Sequence, residues 1–311
     1  MSEINKKLLG PFFCISAAMI WGLAFVAQNE GINHIGAFTF NGIRMLLGSA
    51  VLLPFILIKN KKKKTAASNE NAPLFSKQTA LAILPVGICL FFGSTFQQFA
   101  FYDTEVGKVG FLTALYMIIV PLLGLFFKKK APYTVWTGVV LGLIGMYLLC
   151  VGTSASFTLG RGEILTLCCA FAFSVHILVI DRFAQKIDPL VLSCGQFFIT
   201  GVISCILMFI FEKPTVEGIM NAAIPLLYAG IFSSGVGYTF QVFGQKYTDP
   251  TIAAMLMCLE SVFSVLFGLI LPPHQSLQMM EYVGCVVILA GILIAQITPK
   301  SRSRKIEALH K

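Results

Sequence analysis

The chain has 311 residues, 57% hydrophobic and 12% charged, with a formal net charge of +9. A soluble domain carries about 25% charged residues, so this composition cannot clothe a water-facing surface. The positive charge lies in short segments beside apolar runs, as the positive-inside rule expects, and this excludes a nucleic-acid partner.

Apolar runs near twenty residues long predict ten membrane helices, since about 20 helical residues cross the hydrocarbon. They cover residues 11–30, 37–58, 79–101, 106–127, 133–151, 162–180, 189–211, 222–243, 251–271 and 279–297. The first run follows Lys6 and Lys7 but is too long for a signal h-region, so it reads as a retained first helix. The weakest boundary is between the third and fourth helices, at Asp103, Thr104 and Glu105. Residues 59–78, with Lys61 to Lys64, read as a basic cytoplasmic loop, and 299–311 as a basic cytoplasmic tail.

Charge tests this count. With the N-terminus inside, the inside segments hold 19 Lys/Arg, and the outside loops hold three: Lys108, Arg161 and Lys213. Arg44 alone lies within a span. The asymmetry predicts a multi-pass protein of the cytoplasmic membrane with both termini cytoplasmic. A missed or added helix would invert every later loop.

One stretch occurs twice. Gly93-Ser-Thr-Phe-Gln-Gln-Phe99 returns as Gly237-Tyr-Thr-Phe-Gln-Val-Phe243, at a spacing of 144 residues. The register continues through Thr104/Thr248, Leu112/Leu256, Leu115/Leu259 and Gly124/Gly268. At a spacing of 152, Ala18 meets Ala170, Trp21 meets Phe173, Ile35 meets Ile187 and Arg44 meets Gln196. At 146, Gly138 meets Gly284 and Gly145 meets Gly291. Self-similarity of this kind points to duplication. The predicted fold class is an all-α integral membrane protein, with ten transmembrane helices as two inverted five-helix repeats, 8–151 and 160–298. Five helices is an odd number, so the second copy crosses in the opposite sense. Inverted repeats are a mark of secondary transporters, with the substrate near midplane between the copies.

The chain resembles the EamA-like family of the drug/metabolite transporter superfamily. The likeness rests on Trp21-Gly22, Arg44 and the run Gly107-Lys108-Val109-Gly110-Phe111-Leu112-Thr113-Ala114-Leu115-Tyr116. In the second half it rests on Asp181-Arg182, Gln196, Lys246-Tyr247-Thr248-Asp249-Pro250-Thr251 and Leu259-Glu260-Ser261-Val262-Phe263. The family pattern usually has Pro where this chain has Ser261. The resemblance implies an inner-membrane carrier of small metabolites, amino acids or amines.

An ionisable group in hydrocarbon faces a partner or a wet cavity. Two such groups stand out. Helical rise puts Arg44 about 10 Å from the outer face and Glu260 about 14 Å from the inner face. In a core of about 30 Å their heights differ by about 6 Å, which permits a direct or water-bridged ion pair. The repeat register adds Gln196 as the mate of Arg44 and Tyr116 as the mate of Glu260. Arg44, Tyr116, Gln196 and Glu260 are therefore the expected substrate-binding polar groups, with Trp21 and Phe173 as cavity walls. Gln97 and Gln241 suit a gate or a helix–helix hydrogen bond. His176, about 21 Å from the outer face, is either a proton relay, with Glu260, or a hydrogen-bonded packing residue. Gly138-x-x-x-Gly142 permits close helix packing or dimerisation.

No cofactor and no metal are expected. The nine cysteines lie in or beside apolar spans without a CxxC pair and read as packing residues. There is no GxxxxGK[ST] motif, which excludes ATP as the direct energy source. The expected function is a secondary transporter with a small-molecule substrate and a candidate coupling proton. An organophosphate or sugar-nucleotide carrier would need several buried cations, and a membrane transferase would need clustered carboxylates.

Overall fold

The computed structural model of the protein describes residues 3–65, 76–126, 131–150, 159–270 and 279–297. All regular structure among them is helical. In order the helices are α1 (Glu3–Gly31), α2 (Ala37–Thr65), α3 (Lys77–Ala100), α4 (Val106–Thr113), α5 (Tyr116–Phe126) and α6 (Tyr133–Cys150). The chain continues with α7 (Arg161–Ala184), α8 (Pro189–Phe211), α9 (Val216–Asn221) and α10 (Ala223–Leu227). A π-helical segment, Tyr228–Tyr238, leads into α11 (Thr239–Tyr247), α12 (Pro250–Met257), α13 (Leu259–Ile270) and α14 (Met279–Gln296).

Among the described residues, eight helical stretches are long and apolar enough to cross a bilayer. They include Val106–Phe126, which joins α4 and α5, and Ala223–Tyr247, which joins α10, the π-helical segment and α11. Two more, Tyr133–Leu149 and Pro250–Ser264, are apolar but shorter. The protein is an integral membrane protein. Residues 59–65 of the basic loop expected at 59–78 are helical. α2 runs on through the lysines to Thr65, since lysine is a good helix former. Residues 66–75 and the expected tail, 299–311, lie outside the described residues.

Local chemistry sets several helix starts. Asp188 and Asp249 each precede a proline at the first helical position. Their side chains accept from Leu190 N (3.0 Å) and Thr251 N (2.9 Å). Such caps satisfy amides that have no partner within the helix. The start of α2 is capped from elsewhere in the chain. Glu212, just past α8, accepts from Phe38 N and Thr39 N, both at 2.8 Å, and from the Thr39 hydroxyl at 2.6 Å. A carboxylate at a helix N-terminus is also favoured by the helix dipole.

α2 packs along α8, α3 along α7 and α8, and α1 against α11 to α13. α6 and α14 form a pair at one side. That pair is joined by glycine. A methyl group on Gly145 would lie 2.7 Å from the Gly284 carbonyl, and one on Gly284 would lie 2.7 Å from the Gly145 carbonyl. Gly138 and Gly291 abut in the same way. Gly138-x-x-x-Gly142 therefore serves packing within the chain.

The fourth and ninth predicted helices each carry one irregular turn, within the apolar stretches Val106–Phe126 and Pro250–Ser264 that run through it. α4 gives way to α5 at Ala114–Leu115, and α12 to α13 at Cys258. Both breaks use the same bonds. Ala114 N donates to Gly110 O at 3.1 Å, and Cys258 N to Ala254 O at 3.1 Å. Met117 N donates to Ala114 O at 3.0 Å, and Ser261 N to Cys258 O at 3.3 Å. The last of these bonds needs an N–H that proline would not supply.

Candidate functional site

The two breaks meet. The Cys258 thiol donates to the Ala114 carbonyl at 3.6 Å. Two residues further along each chain segment the Tyr116 hydroxyl donates to Glu260 Oε1 at 3.1 Å. These are the pairs that the 144-residue register matches. Beside them opens a small cavity of about 40 Å³, more than the roughly 10–15 Å³ that one water needs.

The walls come from both halves. α1 supplies Trp21, Ala24, Phe25 and Gln28, and α2 supplies Arg44. Gln97, Thr113 and Tyr116 come from α3 to α5, and Phe173 and Ile177 from α7. Ser233, Tyr238, Gln241, Met257 and Glu260 complete the lining. Of the expected residues, Arg44, Tyr116, Glu260, Trp21, Phe173, Gln97 and Gln241 all face this one space.

Glycine seats the two matched aromatic rings. A methyl on Gly237 would meet the Trp21 ring at 2.7 Å, and one on Gly93 would meet the Phe173 ring at 2.7 Å. These glycines open the two copies of the repeated stretch. Each therefore lets a ring from the opposite half lie flat against its helix. Trp21 also donates through Nε1 to the Ser233 carbonyl at 3.3 Å, and Tyr228 donates to the neighbouring Ile20 carbonyl at 2.8 Å. Both bonds tie α1 to the π-helical segment. That segment is rich in Gly and Ser, which favours a widened helix, and such segments occur frequently at functional sites.

Arg44 is 1% exposed and Glu260 is 4% exposed. No ion pair within 4.0 Å joins them among the described residues. Arg44 Nε donates instead to Asn41 Oδ1 at 2.9 Å, one turn back on α2, and the guanidinium carbon lies 5.7 Å from the centre of the Phe40 ring. Its Nη2 has no partner. Asn41 is fixed in turn by a bond from Nδ2 to the Ser94 carbonyl at 3.1 Å. The direct pair that helical depth permitted is not formed, because Asn41 holds the guanidinium on its own helix and Tyr116 holds the carboxylate.

Gln196 stands outside the cavity lining. His176 takes its amide oxygen at 2.8 Å, and both side chains are fully buried. His176 packs between the Phe173 and Tyr238 rings, with centroids 6.3 and 6.2 Å away. Its Nδ1 has no partner among the described residues. At the 152-residue spacing its counterpart is Ala24, so only the second half has a side chain able to hold the amide. Among the described residues no group of three His, Cys, Asp or Glu side chains could hold a metal ion.

The model of the EamA-like transporter family matches residues 8–151 and 160–296. This chain belongs to that family. A transporter of Archaeoglobus fulgidus is 26% identical over 95% of this chain and 88% of its own length. The Bacillus subtilis transporter YoaV is 25% identical over 94% and 97%. The Escherichia coli inner membrane transporter YedA is 22% identical over 92% and 90%. A solved crystal structure shares the fold, with a TM-score of 0.75 over 95% of this chain and 97% of that one, at 20% identity.

Sequence reasoning missed several parts of this EamA-like cavity. Tyr238, whose ring lies 4.7 Å from Trp21, carried no signal beyond its aromatic character. Asn41 was legible in principle, since an acceptor three residues before a buried arginine lies on the same helix face. Thr113 and Met257 were legible through the 144-residue register, as counterparts on α4 and α12.

Proposed function

We propose that the protein is a secondary transporter for a small zwitterion, an amino acid or a close relative, working by alternating access. The observation that carries this reading is the state of the two buried charges. Arg44 has one neutral acceptor and a free Nη2, and Glu260 has one neutral donor. Burying a charge without a compensating charge is costly. Both groups face the same mostly apolar space. A carboxylate on Arg44 and an ammonium on Glu260 would relieve both at once. Aromatic walls at Trp21, Phe25, Phe173 and Tyr238 suit an apolar side chain.

Ten membrane passages in two inverted repeats fit this reading. Contacts of matched residues support the pseudo-twofold relation. Gly10 packs on Thr248 as Gly162 packs on Thr104, Trp21 on Gly237 as Phe173 on Gly93, and Gly145 on Gly284 as Gly291 on Gly138. Broken helices at the repeat interface are a transporter device for exposing main-chain groups to substrate. Glu260 also suits proton coupling. It exchanges a proton for the substrate ammonium, and protonation leaves it a neutral group bonded to Tyr116. Both termini are cytoplasmic in this scheme, as the charge asymmetry requires.

Counterflow in proteoliposomes tests the reading. Vesicles loaded with unlabelled L-phenylalanine should accumulate external labelled L-phenylalanine. Phenethylamine and 3-phenylpropionate, each lacking one charge, should not drive it. Equal drive by either of them removes the zwitterion reading.

A further inference from the structure

The two copies of the repeated stretch differ in one hydrogen bond. In the first, Gln97 Nε2 donates to the Thr113 hydroxyl at 3.4 Å. At the 144-residue spacing Gln241 takes the place of Gln97, and Met257 takes the place of Thr113. A thioether offers almost nothing to an amide. Gln241 is 2% exposed, its Oε1 has no partner among the described residues, and it faces the cavity. Leaving a buried amide oxygen unpaired is costly, and a native structure that does so invites a ligand or a water at that point.

Gln241 lies one helical turn beyond Tyr238, toward the Tyr247 end of α11. It enters the lining from a different helix than Arg44 and Glu260, which come from α2 and α13. Phe173, Ile177 and Tyr238 fill the lining with apolar surface. We propose that Gln241 is a specificity residue, bonding an uncharged N–H or O–H at the far end of the substrate's apolar side chain. This rests on the zwitterion reading and adds a preference within it: zwitterions whose side chain ends in such a group bind more tightly than those, such as L-phenylalanine, that lack it. In the first copy the glutamine nitrogen has an internal partner, Thr113. The second leaves its glutamine for the substrate.

L-Phenylalanine and L-tyrosine differ by one hydroxyl and serve as probes, with binding measured by calorimetry on purified protein. A site built to bond a substrate hydroxyl rejects the analogue lacking it, because the buried partner is left unpaired. Wild type should bind L-tyrosine at least about tenfold more tightly. Gln241→Leu should bring the ratio of the two Kd values near one. Met257→Thr, which gives Gln241 a hydroxyl of its own, should lower the ratio by a second route and covers the case in which Gln241→Leu fails to fold. Equal Kd values in wild type, a ratio that survives in both variants, or a ratio lost on Gln28→Leu instead would overturn the proposal and leave the zwitterion reading intact. Binding of neither probe to wild type overturns both.

Discussion

The α6–α14 pair and the junction of the broken helices treat the repeat in opposite ways. At α6–α14 the matched residues are the same type, glycine, and each contact has its counterpart: Gly145 on Gly284, and Gly138 on Gly291. At the junction the backbone bonds also match, yet the side chains differ. Tyr116 stands against Glu260, and Ala114 against Cys258. Thr113 has become Met257, and at Arg44 the mate is Gln196, drawn off by His176. Residue identity has been kept where two helices need to touch. It has been given up at the Tyr116/Glu260, Thr113/Met257 and Arg44/Gln196 positions, while the cavity-facing pair Gln97/Gln241 keeps it.

Breaking the chemistry should have the largest effect. Arg44→Met removes the one cation among the described residues of the cavity lining, and loss of a buried, hydrogen-bonded charge contact costs about 2–5 kcal/mol. L-Phenylalanine binding by calorimetry should weaken at least about thirtyfold. Retained affinity would show that Arg44 serves α2 alone.

Glu260→Gln comes next. It keeps the shape and the bond to Tyr116 but removes the charge. Proteoliposome uptake should fall by about tenfold or more, at about 1.4 kcal/mol per tenfold, and the remainder should lose its dependence on pH. Normal uptake at every pH tested would end both the substrate role and the proton role of this residue. The double variant Arg44→Met with Glu260→Gln separates the structural alternative. If the charges served only the fold, it should regain stability lost in the single variants.

Breaking the packing should act on the fold. Gly145→Val puts a branched side chain where even a methyl would lie 2.7 Å from the Gly284 carbonyl. Overpacking of this kind costs about 1–3 kcal/mol. Thermal unfolding in detergent should move down, while the preference for L-phenylalanine over phenethylamine stays. A changed preference would show that the side pair also shapes the cavity.

The smallest effect sharpens the comparison. Exchanging the two seated aromatics, Trp21→Phe with Phe173→Trp, keeps both rings on their glycines. L-Phenylalanine affinity should change only a few-fold. The Trp21 bond to Ser233 is lost, and one hydrogen bond is worth about 0.5–1.5 kcal/mol net. Complete loss of binding would mean that the two seats are not equivalent.

These contrasts also mark what the sequence could disclose. The apolar runs, the charge asymmetry and the register were legible because they rest on composition and on spacing. The repeat registers and the rarity of charge within the spans together pointed to seven of the cavity-facing residues. The helix breaks were not legible. Ala114, Leu115 and Cys258 include no glycine or proline, and Ala and Leu are strong helix formers. The two breaks lie against each other in the fold, through the Cys258 thiol and the Ala114 carbonyl. The expectation for Gln196 followed symmetry, and symmetry fails there because Ala24 in one half is His176 in the other. The direct Arg44–Glu260 pair followed depth alone, which says nothing of a nearer acceptor such as Asn41.

The most direct test of the central claim is calorimetric titration of wild-type protein with three matched ligands: L-phenylalanine, phenethylamine and 3-phenylpropionate. If Arg44 and Glu260 hold opposite charges of one ligand, L-phenylalanine binds and each single-charge analogue binds at least about tenfold more weakly. Arg44→Met should then lose the advantage of L-phenylalanine over phenethylamine, and Glu260→Gln its advantage over 3-phenylpropionate. Equal affinity for all three ligands in wild type would contradict the account.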